Sequence, residues 1–203
     1  MQTVTTPNPL GGKKMQALDR SRPAAMVGLS FTGVCLGALL GGLTNAVSGW
    51  VSPTYFRNIL RWHDVVDIWR AVVAQGILEG LMIGLVFSVL FVAVVGVVSK
   101  ARCPYRIAAA YLLGIAVFAV ICWAIGGLIA MGLATLSPEF YQHAFRQVPE
   151  EFPEMLRYAW VGGSIWGLEF GGLASVLVGS VLFRAKWRLL TDRSPGDPSE
   201  PSP

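Results

Sequence analysis

Four long apolar runs, at 24–51, 71–99, 107–136 and 159–183, constrain this chain more than any motif it contains. Each exceeds the roughly 20 residues that an α-helix needs to cross a hydrocarbon core. Lipid offers no water to satisfy a bare peptide group, so a spanning segment is either a helix or a strand of a closed barrel. Barrel strands alternate with a period of two over about ten residues. These runs are continuous and rich in glycine. Composition agrees, with 14% charged and 54% hydrophobic residues, where a soluble domain has about a quarter charged. The expected fold class is an all-α integral membrane protein with four transmembrane helices.

A second constraint is that the chain writes one pattern twice. Gly41-Gly42-Leu43, Ser52-Pro53-Thr54-Tyr55-Phe56 and Arg61 return as Gly126-Gly127-Leu128, Ser137-Pro138-Glu139-Phe140-Tyr141 and Arg146. After a short insertion, Arg70, Gly76, Gly80, Gly84 and Ser88 match Arg157, Gly163, Gly167, Gly171 and Ser175. Self-similarity of this kind signals a repeated supersecondary unit. The expected organisation is a polar N-terminal tail over 1–23, transmembrane hairpin repeats over 24–106 and 107–188, and a disordered C-terminal tail over 189–203. Both copies enter the membrane from the same side, so the repeat is parallel, with its axis along the membrane normal.

Charge sets the orientation. Lys13, Lys14, Arg20 and Arg22 precede the first run, Lys100, Arg102 and Arg106 lie between the second and third, and Arg184, Lys186, Arg188 and Arg193 follow the fourth. The hairpin tips hold acids instead: Asp64 and Asp67 in one, Glu139, Glu150, Glu151 and Glu154 in the other. By the positive-inside rule both termini are cytoplasmic, in a plasma or inner membrane. The net charge of +4 therefore reports topology, and no nucleic-acid partner is expected. A cleaved signal peptide is not expected either, because the first run is longer than a signal core of 7–15 residues. Cys35, Cys103 and Cys122 have no spacing that suggests a metal or redox pair.

Ser52-Pro53 and Ser137-Pro138 each combine a helix cap with a proline suited to the first helical position. The residues that follow are amphipathic, with Tyr55, Phe56, Ile59 and Leu60 against Arg57, Asn58 and Arg61. Two short helices at the outer surface are expected, level with an aromatic belt of Trp50, Trp62, Trp69, Tyr158 and Trp160.

Glycines recur at every fourth position in three of the runs: Gly33, Gly37 and Gly41; Gly76, Gly80 and Gly84; Gly163, Gly167 and Gly171. Such glycine-zipper stripes let helix backbones approach closely in lipid. Packing within one bundle is favoured over a dimer face, although the same stripes would serve a homo-oligomer or contacts with other membrane subunits.

Glu79 and Glu169 are the only formal charges deep within the runs. Counting along the helix at about 1.5 Å per residue from Lys100 and Arg184 places Glu79 near the outer interface and Glu169 deeper. Intramembrane acids face protein or water, and desolvation favours their neutral form. This suggests a proton or ion pathway with Gln75, Ser164 or Ser175 as hydrogen-bond partners; the alternative is a structural inter-helix hydrogen bond. His63, Asp64 and Asp67 form a weak ligand cluster, since acids opening a helix answer its dipole, and no metal or cofactor is expected. Gly162-Gly163-Ser164 has a glycine-flanked serine, but His63 and His143 lie outside the runs, so no general base is placed for it and no enzyme is expected. The leading expectation is a non-enzymatic packing or assembly component. The alternative is a small channel or proton/cation-coupled transporter using Glu169 and Glu79.

Overall fold

The computed structural model describes residues 9–192, with side chains over 24–189. The described residues form six helices and no strand: α1 (Pro9–Val51), α2 (Pro53–Ile59), α3 (Ile68–Ser99), α4 (Tyr105–Leu136), α5 (Pro138–Ala144) and α6 (Phe152–Asp192). Four segments are long and apolar enough to cross a membrane: Ala24–Val51, Ile68–Ser99, Tyr105–Leu136 and Phe152–Leu189. The backbone of α1 is already helical from Pro9, within the stretch expected as a polar tail, and α6 extends to Asp192. Once an apolar span has nucleated a helix, adding one further residue is cheap, so the helix propagates into polar sequence. Residues 1–8 and 193–203 of the two expected tails lie outside the described residues.

The Ser-Pro steps open α2 and α5, but the two serines act differently. Ser52 accepts a hydrogen bond from the Tyr55 N–H at 3.4 Å, with Pro53 in the first helical turn. The Ser137 side chain makes no cap bond; its backbone N–H closes α4 by donating to the Leu133 carbonyl. Asp67 caps α3 by accepting from the Arg70 N–H at 3.1 Å. Lys100 ends α3 in the left-handed region, with φ of 49°.

The spans pair antiparallel, α1 on α3 and α4 on α6, and glycine makes both seams. A Cβ on Gly41 would fall on the Gly76 carbonyl oxygen, and one on Gly80 would fall on the Gly37 carbonyl oxygen. In the other pair, a Cβ on Gly163 would strike the Gly126 carbonyl, and one on Gly167 the Cys122 carbonyl. Backbone touches backbone at these points, leaving no room for a side chain. Between the pairs the contacts are made by larger groups. The Thr32 and Tyr105 hydroxyls lie 2.8 Å apart, and a Cβ on Gly172 would meet the Phe87 ring.

Apolar clusters pack at both ends of the bundle. At the end bearing the α3–α4 connection, Phe183 packs edge-on against Phe91 and Tyr111 and stacks on Trp187, with Leu29, Val95 and Leu112 around it. At the opposite end Phe56 of α2 is buried with Ile68, Val72 and Val161. Beside it, Tyr141 of α5 is buried with Ala134, Met155 and Ala159.

Burial, and then the neighbouring Tyr55, push the Tyr141 hydroxyl up to about 12. A raised folded-state value means that the unfolded chain loses this proton first, at about 10. The Tyr141 contribution to stability is therefore complete below pH about 10 and is lost as pH rises through about 12. Thermal unfolding in detergent across this window should show a falling midpoint that flattens in Tyr141→Phe. An unchanged alkaline slope in that variant would exclude Tyr141 as its source.

Candidate functional site

A cavity of about 120 Å³ lies between the four spans, and every span lines it. On α6 the lining residues are Ile165, Glu169, Gly172 and Val176 among others, the alternating three- and four-residue spacing of one helix face. Gly37, Gly41, Thr44 and Asn45 come from α1, and Glu79, Gly80 and Phe87 from α3. Ala116, Ala119 and Trp123 come from α4. The close glycine approach holds each pair together beside the cavity, while the bulkier contacts between the pairs leave the space open.

Glu79 and Glu169, which belong to different helix pairs, both line this space. Both residues keep exposed surface, so the cavity is not sealed. The Gln75 Nε2 donates to Glu79 Oε1 at 2.7 Å, one turn earlier on α3. Glu169 has no hydrogen-bond partner among the described residues. The same two carboxylates reach α2: burial first, then Glu169 and Glu79, push the Tyr55 hydroxyl above its ordinary value. The Tyr55 ring covers the N-terminal end of the α6 stripe, where a Cβ on Gly162 would stand 3.1 Å from it.

The remaining lining polar groups are largely committed. Asn45 Nδ2 donates to the Val72 carbonyl at 3.3 Å and ties α1 to α3. The Thr44 hydroxyl donates to the Leu40 carbonyl at 2.8 Å, and the Ser88 hydroxyl to the Leu85 carbonyl at 3.0 Å. The Trp123 indole N–H is buried without a partner, with its ring edge-on to Trp160. No lysine or arginine lines the cavity. The two acids therefore have no fixed counter-charge in the cavity lining.

Of the five residues expected on a pathway, Glu79, Glu169 and Gln75 are brought together. Ser164 and Ser175 are fully buried and do not line the cavity. The Ser175 hydroxyl donates within its own helix to the Gly171 carbonyl. Ser164 instead packs into the α4–α6 seam, where a Cβ on Gly127 would meet its oxygen, and that hydroxyl has no partner. Sequence reasoning missed Asn45, Thr44 and Trp123. One signal was available: Thr44 and Asn45 lie one turn beyond Gly41, on the continuation of the Gly33–Gly37–Gly41 stripe. Among the described residues no three His, Cys, Asp or Glu side chains gather as a metal site, and Asp67 is engaged in capping α3 and pairing with Arg70 at 3.2 Å.

No protein-family model, curated protein or solved structure matches this chain.

Proposed function

We propose that this four-span membrane protein moves protons or a small cation through the cavity between its helix pairs, with Glu169 and Glu79 as the protonatable groups. The observation behind this reading is that the two acids, far apart in sequence, line one space with no basic residue beside them. Proton transfer needs groups that alternate between charged and neutral forms within reach of water. The cavity has room for several waters at about 30 Å³ each. Reconstituted vesicles test it: Glu169→Gln should cut pH-driven flux by about a hundredfold, and unchanged flux would remove Glu169 from the mechanism.

A packing or assembly role is the second reading, and the observation favouring it is the extent of the glycine seams. Yet the stripe glycines meet one another's backbones within the chain, so they are spent on internal packing and leave less for a homo-oligomeric interface. In the proposed architecture the two antiparallel pairs are copies of one hairpin, related by an axis along the membrane normal, with both termini cytoplasmic. Thiol labelling should reach Ser137→Cys from outside and Lys100→Cys from inside, the reverse pattern overturning the orientation. Native Cys103 will not confuse the assay. It is buried, and desolvation pushes its thiol up, which slows thiolate chemistry.

A further inference from the structure

We propose that the cavity binds a small alkylammonium ion, a compact apolar body bearing one protonated amine, in preference to an inorganic cation. The inference rests on the reading of the cavity as a cation site and names the class of cation. Its sign follows from the lining: two carboxylates and no lysine or arginine.

An inorganic ion fits poorly for two reasons. Hard cations need about six or more oxygen ligands. Here the oxygens beyond Glu79 and Glu169 are few, the Thr44 and Ser88 hydroxyls are turned to carbonyls of their own helices, and the glycines lie within hydrogen-bonded helices. The ion would therefore have to keep its water shell. The lining is otherwise largely apolar, with Leu36, Leu40, Ile83 and Leu112 in it, and gives that shell few hydrogen-bond partners in place of bulk water.

An alkylammonium meets both conditions. Its ammonium group offers three donors to the unpartnered Glu169 carboxylate and to Glu79. Its chain meets Leu36, Leu40, Ile83, Leu112 and Ala116, which line the same space. Phe87 and Trp123 border the cavity as well, and aromatic rings attract organic cations that shed their water easily. Size sets the upper bound. An apolar cavity of roughly 150 Å³ takes benzene, so a space somewhat smaller suits about five non-hydrogen atoms, as in n-butylammonium. Because the same carboxylates bind protons, amine and proton compete for the site.

Calorimetry on the full chain in a non-ionic detergent tests this with methylammonium, n-butylammonium, tetrabutylammonium and sodium chlorides. The expected result is saturable binding tightest for n-butylammonium, with a dissociation constant on the order of millimolar for so small a ligand. Acidification weakens it, and sodium does not displace it. Ala119→Leu, which puts extra carbon into the space, should lower n-butylammonium affinity by about tenfold, and Glu169→Gln by at least as much. Equal heats for all four salts, tightest binding of sodium or tetrabutylammonium, or n-butylammonium binding indifferent to both variants would overturn the proposal. The size series needs only the native chain, so a variant that fails to fold does not decide the outcome. Glu169-dependent proton flux without n-butylammonium binding would sink this inference alone. Loss of both would sink the cation-site reading beneath it.

Discussion

Gly80→Val should be among the most damaging substitutions in this protein, lowering stability by about 3 kcal/mol or more, at the upper end of overpacking costs. A Cβ at position 80 would fall on the Gly37 carbonyl oxygen and close to the Ala38 backbone. Neither obstacle is a side chain that can swing away, so α1 and α3 would have to separate. Separation would also loosen the bond from Asn45 to the Val72 carbonyl and change the cavity beside it. Gly114→Val is the matched control, since Gly114 is also a mid-helix glycine and nothing lies within 4 Å of its Cβ position. The helix-propensity change is the same at both sites, so the difference isolates the inter-helix contact. Denaturant titration of the folded fraction in micelles should leave Gly114→Val within about 0.5 kcal/mol of the native chain. Equal losses at both sites would mean that the α1–α3 seam is not as close as described.

Glu169→Gln should reduce pH-driven flux by about a hundredfold, the low end of what a positioned proton-transfer group contributes. Glutamine keeps the size and much of the hydrogen bonding but cannot take up and release a proton near neutrality. Glu79→Gln should be milder, because Glu79 already holds the Gln75 amide whereas Glu169 is unpartnered. The double variant should be no slower than Glu169→Gln alone, since groups acting in one unit give non-additive losses. Glu150→Gln, outside the spans, should leave flux unchanged. A luminal pH-sensitive dye in proteoliposomes reads all four. Additive losses at Glu79 and Glu169 would argue that the two acids work separately.

Much of the scaffold was legible because it rests on local rules. Apolar run length marked four spans, and the proline after Ser52 and after Ser137 marked the start of α2 and α5. Gly37, Gly41, Gly76 and Gly80 announced a close approach through their spacing alone. The cavity was harder to see, because which face of a span looks inward depends on its neighbours. Asn45 and Trp123 sit in runs whose apolar residues point in every direction, so no amphipathic stripe marked them as inward-facing. Counting along the helix gave Glu79 and Glu169 different depths but not a shared space, because that depends on how α3 and α6 pack, with the Phe87 ring of α3 against Gly172 of α6.

The most direct test of that shared space is a cross-link through it. With Cys35, Cys103 and Cys122 replaced by alanine, Glu79→Cys and Glu169→Cys can be joined by a short bifunctional thiol reagent in the folded, membrane-embedded chain. An efficient bridge within one chain is expected, mapped by peptide analysis to positions 79 and 169. None is expected between Glu79→Cys and Val181→Cys, an exposed α6 position several turns away. A 79–181 bridge as efficient as 79–169, or no 79–169 bridge at all, would contradict the shared space.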